Sequence, residues 1–130
     1  MIHKSYEGGM MYEITITQSF SAAHVLKDSG GKCEALHGHN FIIDISLAAE
    51  NLSKEGLLID FRILKEWAGE ILEELDHTYL NDHSYFKNVN PSAENLAKFI
   101  HDKIREKAQP SNIEVSRVTV WESENARASY

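Results

Sequence analysis

Three imidazoles and one thiol are grouped within a short stretch of the chain: His24, then Cys33, His37 and His39, with only Gly38 between the last two. On a β-strand an i, i+2 pair points both rings to one face with Cα atoms roughly 7 Å apart, near enough to share an ion. Gly38 keeps the space between them open. Three neutral imidazoles suit Zn2+, and a site with three protein ligands leaves the fourth tetrahedral position for water or a substrate, the pattern of a catalytic rather than a purely structural zinc. Cys33 can be read as a further ligand, or as a thiol whose pKa is lowered toward the reactive thiolate by a neighbouring cation and imidazole. Since three His already satisfy a catalytic zinc, it is read as a reacting group. His3, His83 and His101 stand outside this grouping and read as ordinary surface or core residues.

The elements that must hold these groups follow from the apolar periodicity. Tyr12, Ile14 and Ile16 alternate with Glu13, Thr15 and Thr17, which predicts a half-buried strand running toward Phe20 and placing His24 just past its end. A loop from Lys27 to Lys32, containing Gly30 and Gly31, delivers Cys33. A second strand carries Phe41, Ile43, Ile45 and Leu47 on the face shared by His37 and His39, so the paired imidazoles continue a core-facing row. Glu50 to Gly56 reads as a turn, and Asp60 as the N-cap of an amphipathic helix over 61–75, with Phe61, Leu64, Ala68, Ile71, Leu72 and Leu75 on one stripe. Ser92 caps a second helix bearing Leu96, Phe99, Ile100 and Ile104, and Gln109-Pro110-Ser111 ends that connection. Ile113 and Val115, then Val118 and Val120, form a strand whose apolar parity switches midway, the mark of a bulge or twist before Glu122, and a turn leads to a short last strand ending at Tyr130. The order β-β-α-α-β-β predicts an α+β fold in which two helices cover one face of a four-stranded antiparallel sheet. Open edges in so small a sheet are a liability that pairing between subunits removes, so an oligomer is expected.

At 130 residues and 42% hydrophobic content the chain has material for one core, so 12–130 reads as a single domain behind a flexible leader, 1–11. The single Cys excludes an internal disulfide, and the N-terminal residues lack the apolar run of a signal peptide or membrane span; a reducing, cytoplasmic setting is expected. A net charge of −7 argues against a nucleic-acid or anionic-membrane partner and for a small molecule. No H-E-x-x-H is present, which speaks against a zinc peptidase, and a Cys-His hydrolase would need an oxyanion hole for which there is no signal.

The segments Phe20-Ser21-Ala22-Ala23-His24, Cys33 to His39, Ile59-Asp60-Phe61, Leu75-Asp76-His77 with Leu80-Asn81, Asn90-Pro91-Ser92-Ala93-Glu94-Asn95 and Trp121-Glu122-Ser123 occur in an order that resembles the 6-pyruvoyl-tetrahydropterin synthase family. The short Cys-x-x-x-His-x-His spacing is most similar to its carboxy-forming branch, the bacterial 6-carboxy-5,6,7,8-tetrahydropterin synthases of queuosine biosynthesis. The resemblance, over residues 12–130, implies a tunnelling fold in which sheets of several subunits, a hexamer, join into a barrel with active sites at subunit boundaries. It implies that His24, His37 and His39 hold zinc, that Cys33 accepts a proton, that Asp76 and His77 orient and tune that thiol, and that Glu122 grips the pterin. A carboxylate suits that last task, because a pterin's guanidine-like edge offers parallel N–H donors to two oxygens. Without the resemblance, Glu122 reads as a solvated strand end and Asp76-His77 as a helix C-terminus.

The implied reaction converts 7,8-dihydroneopterin triphosphate to 6-carboxy-5,6,7,8-tetrahydropterin, releasing acetaldehyde and triphosphate, with no organic redox cofactor. Lys27 and Lys32 are the candidates for meeting the anionic tail. The alternatives are a pyruvoyl-forming synthase that stops after triphosphate loss, and a catalytically silent zinc- or pterin-binding relative. Ser92 and Ser123 stand where Thr is common in the family; both keep a hydroxyl.

Overall fold

The computed structural model describes residues 10–28, 31, 35–109 and 111–130. Most of the expected leader, Lys32, Cys33 and Pro110 lie outside the described residues. Two long strands, β1 (Tyr12–His24) and β2 (His37–Ala49), pair antiparallel along their whole length, from Tyr12 opposite Ala49 to His24 opposite His37. Alternation sets which face is buried. Phe41, Ile43, Ile45 and Leu47 of β2 are 0% exposed, and Ile16, Phe20 and Ala22 of β1 lie beside them. Burying each large aliphatic or aromatic side chain contributes roughly 1.5–3 kcal/mol, so a one-residue slip, which would turn the whole row outward, is strongly disfavoured.

Two helices cover this face. In α1 (Phe61–Glu73), Leu64, Ala68, Ile71 and Leu72 point inward. The Asp60 side chain caps its first turn by accepting the Arg62 N–H at 2.8 Å, while the Arg62 guanidinium forks onto the same carboxylate and holds its pKa down at about 2. In α2 (Ala93–Ala108), Ser92 Oγ accepts the Asn95 N–H, Glu94 sits in the first turn, and Arg105 and Lys107 sit in the last, each favourable to the helix dipole. Leu96, Phe99, Ile100 and Ile104 are buried, as their spacing predicts.

The structure differs from expectation at four points. The helix ends at Glu73, and Leu75, though fully buried, belongs to the following turn; Phe61 in the first turn is 49% exposed. His24 is the last residue of β1 rather than beyond it. The segment between the helices contains β3 (Thr78–Tyr79), a two-residue strand parallel to β1 at Ala22 and Ala23, followed by two short 3-10 helices, Leu80–Asp82 and Ser84–Phe86. With β4 (Glu114–Ser123) and β5 (Ala126–Ser129), the sheet therefore has five strands, in the order β3-β1-β2-β4-β5, rather than four.

The parity switch in β4 is a bulge. Ser46 faces Arg117 and Leu47 faces Val115, leaving Ser116 as the extra residue, so Val115, Val118 and Val120 all reach the core. The other face of the sheet is polar: Thr17 Oγ1 and Trp121 Nε1 both donate to the Asp44 carboxylate, and Thr15 and Ser46 join their hydroxyls. Among the described residues no helix is long and apolar enough to cross a membrane.

Candidate metal centre

The inward-facing rows of β1 and β2 end in imidazoles. His24 lies directly across from His37, and His39 precedes Phe41 on the same face. One ring nitrogen from each of His24, His37 and His39 lies within 4.8 Å of the others, the only such cluster of three metal-binding groups among the described residues. Phe41, stacked on Phe20 at 5.0 Å, closes the floor with edge contacts to His24 and His39.

Carbonyl partners fix two of the three tautomers. A carbonyl only accepts, so His24 donates from Nδ1 to the Pro91 oxygen at 2.8 Å and His37 donates from Nδ1 to the Ala35 oxygen at 2.7 Å. In the neutral rings this leaves each Nε2 as a lone-pair donor. His24 Nε2 and His39 Nε2 are buried and have no hydrogen-bond partner among the described residues. A buried, unpaired polar atom costs roughly 1–3 kcal/mol, and one shared cation would satisfy both. Burial pushes the His24 pKa below its ordinary value; the neighbouring His37 and His39 push the same way, against the Pro91 hydrogen bond and the Glu122 charge. His24 is therefore held toward its neutral form, with the Nε2 lone pair free for a cation.

Glu122 completes the picture on the same chain. Its Oε2 lies 3.5 Å from His24 Nε2 and 3.7 Å from His39 Nε2. A carboxylate oxygen facing the His24 Nε2 lone pair is repulsive unless a positive charge sits between them, so the donor set fits a bound divalent cation. The sequence carries a signal for this position: Glu122 follows Val118 and Val120 with strand parity, hence on the core face. The two second partners, the Pro91 and Ala35 carbonyls, are backbone atoms with no side-chain signature to find.

Asp76 and His77 are brought together but not into the trio. Asp76 accepts the Ser21 N–H at 2.9 Å, His77 N–H donates to the Ser21 oxygen, and His77 Nδ1 lies 3.1 Å from Asp76 Oδ1. The Ser21 hydrogen bond, with His77 adding to it, lowers the Asp76 pKa. His77 has φ +58° and its side chain is 82% exposed, and among the described residues neither member of the pair bonds to the trio. A groove of about 500 Å3 is lined by Ser21, Gly38, His39, Asn40, His77 and Thr78. Cys33 lies outside the described residues, so its distance from either group is not part of this geometry.

Fold and site together define a small α+β protein in which three imidazoles that could hold a cation meet at the end of a long hairpin. The 6-pyruvoyl tetrahydropterin synthase family matches residues 13–130, and the chain belongs to that family. It is 35% identical to the 6-carboxy-5,6,7,8-tetrahydropterin synthase of Synechocystis sp. over 86% of this chain and 87% of that protein. It is also 35% identical to the dihydroneopterin monophosphate aldolase of Pyrococcus furiosus, over 87% of this chain and 91% of that one. The 6-pyruvoyl tetrahydropterin synthase of Caenorhabditis elegans superposes with a TM-score of 0.84 at 28% identity, covering 94% of this chain and 96% of that chain.

Proposed function

We propose that the protein is a zinc-dependent lyase that converts 7,8-dihydroneopterin triphosphate, with water, to 6-carboxy-5,6,7,8-tetrahydropterin, acetaldehyde and triphosphate, as a step of queuosine biosynthesis in the cytoplasm. The observation that carries this reading is the convergence of His24, His37 and His39, with two orphaned Nε2 atoms, on a point also faced by Glu122. The name shared by the Synechocystis relative favours the carboxy-forming branch.

Under this reading His24, His37 and His39 hold zinc, which supplies Lewis acidity that polarises the substrate's side-chain oxygens and acidifies the adjacent C–H. Cys33, as thiolate, removes that proton. Asp76 remains an anion because the Ser21 N–H holds it, and so keeps His77 oriented through Nδ1 for proton transfer with the thiol. Glu122, beside the trio and with 31% of its side chain exposed, accepts the paired N–H donors of the pterin edge. On the same reading Asp76 and His77 serve the site of a neighbouring subunit, in a hexamer whose sheets join edge to edge into a barrel. Residues 12–130 form the one catalytic domain.

The test is to incubate zinc-loaded protein with 7,8-dihydroneopterin triphosphate, with and without chelator, and identify all products by mass. Acetaldehyde with the 6-carboxy product, lost on chelation, is the expected result. Triphosphate release without acetaldehyde points instead to the pyruvoyl-forming reaction, cleavage of only a monophosphate substrate to the activity named for the archaeal relative, and no consumption at all overturns the enzymatic assignment.

A further inference from the structure

Beyond His24 the chain leaves the sheet, and at Val25 and Lys27 there are no strand partners for the peptide groups. Two asparagines replace them. Asn81 Oδ1 accepts the Val25 N–H at 2.9 Å while its Nδ2 donates to the Val25 carbonyl at 2.9 Å. Two residues on, Asn90 Oδ1 accepts the Lys27 N–H at 2.8 Å while its Nδ2 donates to the Lys27 carbonyl at 2.9 Å. A primary amide carries the same donor and acceptor as a peptide, so each side chain pairs with alternate residues as a neighbouring strand would.

One clamp is anchored in the core and the other at the start of α2. Asn81 is itself buried and follows Leu80, which is 0% exposed. Asn90 is held by Asn95, whose Nδ2 donates to the Asn90 carbonyl at 2.8 Å and whose N–H donates to Ser92 Oγ at the start of α2. The next carbonyl, that of Pro91, is the one that receives His24 Nδ1–H. The motifs Leu80-Asn81 and Asn90-Pro91-Ser92-Ala93-Glu94-Asn95 thus converge on one residue from two sides. Asn81 and Asn90 hold the backbone that follows His24, and the Asn90–Asn95 link holds the carbonyl that sets the rotation and tautomer of its ring.

We infer that Asn81 and Asn90 are positioning residues for the metal site: without touching the ion, they fix where His24 Nε2 points. The inference rests on the proposed zinc reading of the trio. It predicts that Asn81→Ala and Asn90→Ala each weaken zinc binding by about tenfold or more, the scale on which loss of partners behind a ligand is felt. Zinc dissociation constants are measured by competition with a chromophoric chelator, with far-UV circular dichroism as the check on folding. Ile104→Val, a core change in α2, is the control: it lowers thermal stability and leaves the zinc constant unchanged. If an alanine variant does not fold, Asn90→Asp or Asn81→Asp takes its place, keeping the acceptor and setting a carboxylate oxygen against the carbonyl that the amide served; the same weakening is expected. Wild-type protein that binds no zinc removes the reading of the trio itself. Wild-type protein that binds zinc, beside folded variants of unchanged affinity, overturns the positioning role alone.

Discussion

His77 allows stability and function to be set against each other at one position. Its φ of +58° lies in the left-handed region, where an L-residue with a Cβ pays roughly 1–2 kcal/mol relative to the right-handed region. Replacing it by glycine removes that cost but adds roughly 0.5–1 kcal/mol of backbone entropy to the unfolded chain. His77→Ala keeps the cost and loses the Asp76 contact as His77→Gly does, so the two variants should differ by about 1 kcal/mol in favour of glycine. Unfolding a 130-residue chain carries about 2.1 cal/mol/K per residue, which turns that difference into a Tm about 4 °C higher for the glycine variant. Differential scanning calorimetry of both variants in the same buffer gives the comparison directly. Turnover should move the other way: both variants lose the imidazole, and general acid–base catalysis is commonly worth about 10²–10⁴-fold. A glycine variant no more stable than the alanine one would refute the strain, and wild-type turnover in either variant would refute the catalytic role.

Phe41→Ala removes a fully buried ring stacked on Phe20 and should cost roughly 3–5 kcal/mol in denaturant unfolding; a loss under about 1 kcal/mol would show that the floor beneath the imidazoles is not packed as described. Metal-free protein should lose thermal stability on acidification below pH 6.5, because burial keeps the folded-state pKa of His24 below that ordinary value. The unfolded chain then takes up the proton first, and stability that is full above 6.5 declines as the pH falls through the folded value. His24→Gln should flatten this acid dependence, and an unchanged slope would remove the assignment to His24.

The imidazoles were legible because their chemistry and their strand parity point the same way: His37 and His39 extend the row Phe41, Ile43, Ile45, Leu47, and the structure keeps that row intact. The pairing of His24 with His37 was not legible, since the register of two strands joined by a long connection depends on packing along their whole length and not on any local residue. The Val115-to-Val118 parity change foretold the bulge at Ser116, and the same parity, followed two residues past Val120, leads to Glu122. Thr78 and Tyr79 are too few to show a period, so β3 had no signature. Helix periodicity ran on to Leu75 because that side chain is buried whether it belongs to a helix or to the turn after it.

His24 closes one strand of the hairpin and His37 opens the other, with residues 25–36 between them. On the proposed reading, an ion gripped by both is a removable cross-link over that span, comparable to a disulfide closing a loop of about 15 residues, for which chain-entropy arguments give about 3 kcal/mol. On that reading every ligand belongs to a single polypeptide, so capture needs one folded chain and one ion and is first order in protein. If the proposed hexamer forms, dilution that separates its subunits would leave the ion in place, and each newly made copy could be loaded before it meets another.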